Sequence, residues 1–223
     1  MALDSSSPLI IGVAGGSGSG KTTVARRILA GLPPGRAALI QVDWYYRDLA
    51  HLPFEERATA NFDEPDALDL DLLGAHLEGL SRGEPAACPQ YDFTTHCRLP
   101  DPTLVRPAPV IVVEGILLFA AESLRRRLDL RIFVDTDADI RLMRRIRRDL
   151  QERGRDIDAI QEQYYRTVRP MHQLHVAPTR QYAHLVVPEG GENRHAVDVI
   201  VGHLLHRLTH AVDTLVPMHG DDV

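Results

Sequence analysis

Apolar residues recur along the chain in two patterns, and segments with the one pattern alternate with segments that have the other. Short continuous apolar runs are typical of strands buried on both faces of a parallel sheet. They predict strands at Leu9–Ala14, Ala37–Val42, Val110–Val113, Leu130–Val134 and Leu185–Val187. Apolar residues at helical spacing predict helices at Lys21–Leu32, Leu70–Leu80, Asp137–Glu152, Ile157–Met171 and Ala196–Leu208. This alternation predicts an α/β fold in which helices cover both faces of a parallel sheet.

One stretch interrupts the alternation. Ala86–Pro109 is rich in prolines and contains short β-like pieces, which predicts a hairpin insertion that projects from the sheet. A chain of 223 residues is long enough for one large core. We therefore expect one domain over residues 1–218 and a disordered tail at 219–223.

Composition and charge narrow the choice of partners and compartment. The net charge of −6 implies no basic face, so we expect no nucleic-acid partner. Apolar runs such as Val110–Val113 are too short to span a membrane, and the N-terminus lacks the cationic start of a secretory signal. The two cysteines, Cys88 and Cys97, are expected to be free thiols in a reducing cytoplasm. Without CxxC spacing, a zinc site is not expected.

A glycine-rich motif lies between the first predicted strand and the first predicted helix. It consists of Gly15, Gly16, Ser17, Gly18, Ser19, Gly20, Lys21 and Thr22, and it matches the pattern G-x-x-x-x-G-K-[ST]. At average residue frequencies this pattern arises by chance in about one chain of this size in a hundred. Glycines let the backbone curl so that successive N–H groups point at phosphate oxygens. We expect ATP or GTP here, with Lys21 reaching the β and γ phosphates of the nucleotide and Thr22 ligating Mg²⁺.

Lys21 is the only lysine of the chain, so the Lys+Arg total of 25 leaves 24 arginines. A compact ammonium differs from a planar guanidinium, and a phosphate cradle is a place where that difference matters. The retention of lysine at this one position supports a phosphate-binding role.

Two acids follow predicted strands at the edge where ligands bind to such sheets. Asp43 follows the second strand and Glu114 the third. We assign Glu114 to the metal and Asp43 to the acceptor hydroxyl as general base. Either residue alone could equally be a helix cap or a surface acid.

Several further segments resemble the uridine–cytidine kinases. These are GVAGGSGSGKTTVAR, Asp43 with Tyr45-Tyr46, NFDEPDALD (Asn61–Asp69), YDFTTHCR (Tyr91–Arg98), EGIL (Glu114–Leu117), FVDTDADIRLMRRIRRD (Phe133–Asp149), ERGRD (Glu152–Asp156) and QYYRTVRPMH (Gln163–His172). The resemblance runs in matching order from about Pro8 to His206. It implies a P-loop kinase that phosphorylates uridine or cytidine in pyrimidine salvage, with a homo-oligomeric, usually tetrameric, assembly.

The resemblance also assigns roles to residues. Base stacking falls on Tyr91 and Phe93, two apart on a predicted strand and therefore on one face, although a pair of core aromatics would look the same. His96 and Arg155 match contacts to the base edge. The remaining nucleoside contacts match Asp63, Arg145, Gln163 and Tyr46.

The same resemblance implies a lid over the active site and a set of residues near the phosphate-donor nucleotide. Arg148 and Arg153 match a helical lid, about residues 148–172, that closes over the phosphates. Acids four residues away could instead neutralise this arginine-rich helix, in the pairs Asp137–Arg141, Arg145–Asp149 and Arg148–Glu152. Thr23 and Glu192 match positions near the donor nucleotide, although Glu189–Asn193 also fits a plain surface turn.

Three positions depart from the family pattern. Trp44, Glu64 and His184 stand where the family more often has a small residue, a histidine and an aspartate, respectively.

Three other kinds of function remain open. A phosphoribulokinase or pantothenate kinase would not need the aromatic slot. A nucleotide sensor without turnover would not need Asp43 and Glu114, and a nucleic-acid-dependent ATPase is disfavoured by the net charge.

Overall fold

The computed structural model describes residues 7–213, and the side chains of residues 7–210. The nine strands in this part of the chain are β1 (Leu9–Gly15), β2 (Ala37–Gln41), β3 (Ala86–Cys88), β4 (Tyr91–Asp92), β5 (Cys97–Arg98), β6 (Thr103–Val105), β7 (Val110–Glu114), β8 (Leu130–Asp135) and β9 (Leu185–Pro188). The central sheet is parallel, in the order β2-β7-β1-β8-β9. The predicted α/β fold is confirmed, and the tail predicted at 219–223 lies outside the described residues.

Helices connect the strands of this sheet. The α-helices of the described chain are α1 (Lys21–Ala30), α2 (Phe54–Thr59), α3 (Leu70–Ser81), α4 (Glu122–Arg125), α5 (Ala138–Glu152), α6 (Ile157–Gln163), α7 (Arg169–Met171) and α8 (Arg194–Asp213). Two π-helical turns, Tyr164–Val168 and His172–Val176, extend the segment that the sequence predicts as one helix over Ile157–Met171. The short helices α2 and α4 are not predicted, because neither is long enough to show a helical period.

Two apolar clusters flank the central sheet. On one face, α1 and α8 pack against β1 and β7, with Val24, Ile28 and Leu204 fully buried. On the other face, Leu73 and Leu77 of α3 pack into the second cluster. The first four residues of β7, Val110 to Val113, alternate between the two clusters, which is why this part of the strand is apolar throughout.

The insertion after α3 is a pair of nested ladders. Outer strands β3 and β6 pair antiparallel, and inner strands β4 and β5 pair antiparallel around the turn at residues 93–96. The predicted hairpin at 86–109 is thus present, with its last paired residue at Val105.

Helix α5 turns a charged face toward the interior. Arg145 and Asp149 are buried on it, whereas Met143 is 65% exposed and Leu150 45% exposed. The inner face of α5 lies over the glycine-rich loop after β1, since a Cβ on Gly18 would collide with the backbone of Arg141. No helix within residues 7–213 is long and apolar enough to cross a membrane.

Candidate active site

The segment Gly15–Thr22, called the phosphate loop below, runs from the end of β1 into the first turn of α1. Gly15, Gly18 and Gly20 have φ values of 149°, 79° and 93°, which L side chains rarely adopt. A Cβ on Gly18 would lie 2.3 Å from the carbonyl oxygen of Arg141. Only glycine fits there. Such a tight loop before a helix N-terminus presents backbone N–H groups to an anion.

Two other segments pack against the phosphate loop. The Ser19 carbonyl accepts hydrogen bonds from Thr136 Oγ1 at 3.0 Å and from Arg144 at 3.4 Å. A Cβ on Gly191 would lie 2.3 Å from Thr23 Cγ2, so the turn Gly190–Glu192 lies against the first turn of α1. Thr23 and Glu192 are both exposed on this side of the loop. Their assigned contacts with the donor nucleotide remain predictions.

A small polar network lies where the phosphate loop meets β7. The Thr22 hydroxyl donates to Glu114 Oε1 at 2.9 Å, and Gln41 Nε2 donates to the same oxygen at 2.9 Å. Glu114 is 3% exposed, and its Oε2 is buried without a hydrogen-bond partner among the described residues. An orphaned carboxylate oxygen beside a threonine hydroxyl fits a hard divalent cation.

The remaining ligands of such a cation would come from elsewhere. Within residues 7–213, no group of three or more His, Cys, Asp or Glu could hold a metal. Mg²⁺ in kinase sites commonly takes one or two carboxylates together with water and substrate phosphates. Thr22 and Glu114 therefore suit a metal that arrives with a nucleotide.

A cavity opens beside the phosphate loop, with about 460 Å³ of empty space when the solvent at its mouth is included. Its walls are Ser17, Lys21, Asp43, Tyr46, Phe62, Asp63, Phe93, Ile116, Arg145, Arg148, Arg153, Arg155 and Gln163. Five cations and two carboxylates face it, although the chain as a whole carries a net charge of −6. The excess of positive charge at one place suits a polyanionic ligand.

Four of these cations, Arg145, Arg148, Arg153 and Arg155, form what we call the arginine cluster. Arg145 donates to Ser17 Oγ of the phosphate loop at 3.0 Å and to Gln163 Oε1 at 2.8 Å. Arg155 also donates to Gln163 Oε1. The carboxylate of Asp149, which is fully buried, lies within 4 Å of all four guanidinium groups. The expected Arg145–Asp149 pair is present at 3.4 Å, but no Arg148–Glu152 pair forms within the described chain, because Arg148 turns to Asp149 instead.

Five rings form a second group, the aromatic cluster: Tyr46, Phe62, Tyr91, Phe93 and His96. Phe62 stacks on His96 with ring centroids 5.0 Å apart and planes 15° apart. The Tyr46 hydroxyl donates to the Phe62 carbonyl at 3.0 Å. Tyr46, Phe62 and Phe93 line the cavity, whereas Tyr91 and His96 are buried beside these rings and are not among its wall residues.

The predicted common strand face for Tyr91 and Phe93 is wrong. Strand β4 ends at Asp92, and Phe93 already belongs to the turn at residues 93–96. The two rings are neighbours nonetheless, with centroids 5.4 Å apart at an angle of 71°. Asp92 causes the early turn, because its carboxylate accepts from Thr94 N at 2.8 Å and from Thr95 Oγ1 at 2.7 Å.

His96 ends this turn in an unusual conformation. Its φ is 56°, in the left-handed region, where a non-glycine residue is strained by about 1–2 kcal/mol. Burial lowers the pKa of His96, and the charges of Arg155 and Arg153 lower it further. The imidazole is therefore neutral at physiological pH, and a neutral imidazole both donates and accepts hydrogen bonds.

The two acids of the cavity differ in surroundings. Asp43 lies in the 3₁₀ turn Val42–Tyr45 that follows β2, and no donor in the described chain hydrogen-bonds its carboxylate. Asp63 is 8% exposed and accepts a long hydrogen bond, 3.5 Å, from Thr167 Oγ1. Burial raises the pKa of Asp63, and the nearby Arg145 guanidinium opposes that rise.

Sequence reasoning missed three residues of this site and considered a fourth, Asp149, only as a partner of Arg145. Phe62 and Ile116 line the cavity, Thr167 contacts Asp63, and Asp149 lies among the arginines. Phe62 and Ile116 are inside the NFDEPDALD and EGIL motifs, so a stricter reading of those motifs could have included them. Thr167 also lies inside a quoted motif, QYYRTVRPMH, but its contact with Asp63 depends on a π-helical turn that no local pattern predicts.

The three departures from the family pattern all lie off the cavity walls formed by the described residues. Trp44 packs at the edge of the core cluster that contains α3. Glu64 accepts from Asn61 Nδ2 at 3.1 Å, and His184 Nε2 lies 2.6 Å from a guanidinium nitrogen of Arg131. Cys88 and Cys97 are free thiols, as expected.

The parallel sheet, the phosphate loop after β1 and the cationic cavity together define a P-loop kinase fold. The sequence profile of the phosphoribulokinase/uridine kinase family matches residues 10–196. The chain belongs to this family.

Named relatives cover nearly the same length. A uridine kinase of Chloroflexus aurantiacus is 54% identical over 197 residues, which is 88% of this chain and 94% of the relative. A uridine kinase of Streptococcus mutans is 51% identical over 193 residues, or 86% and 92% of the two chains. Among solved structures, D-glycerate 3-kinase from Cryptococcus neoformans superposes with a TM-score of 0.57 at 17% identity, covering 75% of this chain and 79% of that one. The last similarity concerns the fold alone.

Proposed function

We propose that this protein transfers the γ-phosphate of ATP to the 5′-hydroxyl of uridine or cytidine, giving UMP or CMP in pyrimidine salvage. The observation that carries the proposal is a single cavity with a phosphate end and an aromatic end. Lys21 and Ser17 of the phosphate loop share its walls with Asp43, Asp63, Phe62 and Phe93. Relatives about half identical in sequence are named uridine kinases.

At the phosphate end, the loop binds the triphosphate through backbone N–H groups and the Lys21 ammonium. Thr22 and Glu114 would hold Mg²⁺, which would neutralise negative charge on the phosphates of the donor. Arg148 and Arg153, near the start of a lid over residues 148–172, stabilise the moving phosphoryl group and help to exclude water.

At the nucleoside end, stacking and hydrogen bonding select the acceptor. Phe62 and Phe93 supply ring surfaces for a pyrimidine, with Tyr46 and Tyr91 packed against them. The neutral His96 suits either pyrimidine edge, since it can donate to one base and accept from the other. Arg155 assists at the same edge.

The ribose and its reacting hydroxyl are bound by charged groups. Asp63, with Arg145 and Gln163 beside it, holds the 2′ and 3′ hydroxyls. A deoxynucleoside lacks one of these hydroxyls and so leaves the buried carboxylate with one donor fewer, which disfavours it. Asp43 accepts the 5′-hydroxyl proton as the phosphoryl group transfers in line.

A variant at Asp43 tests the base role. Asp43→Asn keeps the shape of the side chain and removes the proton acceptor, so kcat falls by roughly 10²–10⁴-fold. Uridine affinity, measured by calorimetry, stays within a few-fold of the unchanged protein. Lost binding with retained turnover would remove Asp43 from this role.

Assembly and location complete the proposal. The protein works in the cytoplasm as a homo-oligomer, a tetramer in the family's usual form, with no nucleic-acid or membrane partner. The net charge and the two free thiols support this setting.

One assay decides the acceptor. ADP release from Mg-ATP is followed with uridine, cytidine, deoxycytidine, ribulose 5-phosphate and pantothenate offered separately. Turnover with the ribonucleosides and little with deoxycytidine supports the proposal. Turnover with ribulose 5-phosphate alone would favour the phosphoribulokinase branch of the family and contradict the role of the aromatic walls.

A further inference from the structure

We propose that Asp149 is a positioning residue that couples the nucleoside end of the cavity to its phosphate end, so that nucleoside and ATP bind with positive cooperativity. The inference rests on the proposed function and deepens it. Asp149 is fully buried and is not a cavity wall, so it acts through the arginines around it.

The two oxygens of this carboxylate serve different arginines. Oδ1 accepts from Arg148 Nε at 2.9 Å, while Arg148 Nη2 lies 2.8 Å and Arg153 Nε 3.7 Å from the same oxygen. Oδ2 faces Arg145 Nε at 3.4 Å and Arg155 Nη1 at 3.8 Å. One oxygen therefore faces the arginines assigned to the phosphates, and the other faces those assigned to the nucleoside.

The Oδ2 side is incompletely bonded. Oδ2 and Arg145 Nε are both buried without a hydrogen-bond partner within the described chain, although they lie 3.4 Å apart. A small movement would bring this pair into hydrogen-bond distance, which strengthens a charged contact considerably. Arg145 also donates to Ser17, so the movement is transmitted directly to the phosphate loop.

The Oδ1 side holds Arg153 loosely. The Arg153 guanidinium lies over the Phe93 ring, 4.3 Å from its centroid, while its Nε is too far from Asp149 for a hydrogen bond. A pyrimidine that stacks on Phe93 competes with this guanidinium for the ring. Nucleoside binding thus favours Arg153 at the phosphate end, where Asp149 Oδ1 retains it.

Charge balance makes each substrate favour the other. Four guanidiniums around one carboxylate repel one another, and burial together with Arg148 lowers the pKa of Arg153 to about 10. ATP phosphates relieve that repulsion and fix the cluster in the arrangement that the nucleoside needs. A ligand that orders a shared element lowers the ordering cost for the second ligand.

A purely structural role is the competing explanation, in which Asp149 only neutralises buried arginines. Thermal stability cannot separate the two explanations, because both predict a loss when the charge is removed. The coupling between the two ligands does separate them, because a structural role would change the affinity for each ligand without changing how much one bound ligand alters the affinity for the other.

The test is calorimetric titration of uridine into the protein, with and without saturating Mg²⁺ and a non-hydrolysable ATP analogue. For the unmodified protein we expect uridine affinity to rise about 5- to 150-fold with the analogue. In Asp149→Asn the rise falls to about twofold or less, and Asp149→Glu recovers part of it. Asp139→Asn is the matched control, being an exposed aspartate on the same helix, and it keeps the full rise.

Each outcome bears on a different claim. Coupling that survives in Asp149→Asn, or that is absent from the unmodified protein, overturns the inference and leaves the proposed function standing. An unmodified protein that binds neither uridine nor cytidine overturns both. If Asp149→Asn does not fold, Arg153→Gln decides: unchanged coupling there overturns the inference.

Discussion

The phosphate loop and the arginine cluster both prepare the same cavity for negative charge, but they are built differently. The loop is eight consecutive residues, Gly15–Thr22, whose backbone and one ammonium do the binding. The cluster consists of guanidiniums that donate hydrogen bonds to acceptors from distant parts of the chain, as Arg145 does to Ser17 and Gln163. A compact cation suits the first arrangement, and a planar fork of donors suits the second.

Exchanging the cation of the phosphate loop tests the first arrangement, and it should reduce turnover more than an exchange in the arginine cluster does. Lys21 is 7% exposed, so Lys21→Arg forces a longer, planar group into a closely packed position. We expect kcat to fall on the order of 10²–10³-fold, as when a single transition-state donor is lost. Steady-state kinetics measures it. Arg26→Lys, an exposed exchange on the same helix, is the control, and near-normal turnover in Lys21→Arg would contradict the comparison.

The opposite exchange tests the arginine cluster. Arg145→Lys keeps the charge but cannot serve Ser17, Gln163 and Asp149 together. The loss of one charged hydrogen bond costs about 1.5–3 kcal/mol, so we expect the KM for uridine to rise by roughly 10- to 100-fold, with a smaller change for ATP. Kinetics with each substrate varied in turn measures this split. Arg147→Lys, exposed on the same helix, should change neither constant.

The same difference explains how far sequence analysis could go. The phosphate loop and the five central strands were predictable, because each depends on consecutive residues and a local pattern. The arginine cluster itself was recognised by resemblance, but Asp149 at its centre was considered only as a partner of Arg145. Whether a charged residue on an amphipathic helix faces solvent or a cavity depends on what the helix packs against.

Helix α5 and the inner hairpin show the same limit in two ways. The charged face of α5 is buried because it covers the phosphate loop and the cavity, a tertiary contact that no periodicity reveals. Strand β4 is short because Asp92 hydrogen-bonds the residues that follow it, and the strand pattern alone predicted a longer extended segment. Side-chain competition with the ladder caused that error.

A pair of glycine variants sharpens the claim that the loop depends on its backbone. Gly18 and Gly35 have nearly the same φ, 79° and 76°, but only Gly18 has a neighbour in the way, the Arg141 carbonyl oxygen. Both alanine variants lose about 1–2 kcal/mol to the left-handed conformation. Gly18→Ala should lose about 1–3 kcal/mol more through overpacking, and should also bind the ATP analogue more weakly. Urea unfolding and calorimetry measure these losses, and equal losses would mean that close packing is unimportant here.

The smallest expected effect concerns His172, at the edge where α5 meets the π-helical turns. Burial first, and then the Arg141 charge, lower the pKa of His172 to about 4. Arg141 Nη2 lies 3.2 Å from His172 Nε2, and a guanidinium can only donate hydrogen bonds. Nε2 of the neutral imidazole is therefore the acceptor, and the ring proton is on Nδ1. The folded protein therefore resists protonation of a group that the unfolded chain protonates near pH 6.5.

This difference fixes the sign of the pH dependence. Above about pH 6.5 the imidazole is neutral in both states and its contribution to stability is constant. As the pH falls from there toward 4, the unfolded state gains the proton and the folded state does not, so stability is lost. We expect a loss on the order of 1 kcal/mol or less, because the site is only half buried and solvent screens it.

His172→Gln isolates the titration, since its amide oxygen can still accept from Arg141 while no group ionises. The acid limb of the unfolding free energy between pH 6.5 and 4 should become shallower in this variant, as measured by urea denaturation at half-unit intervals. His195→Gln, at an exposed position of α8, should leave the limb unchanged. An unaltered limb in His172→Gln would mean that Arg141 tolerates a protonated neighbour, and that the inner face of α5 is more open to water than its burial indicates.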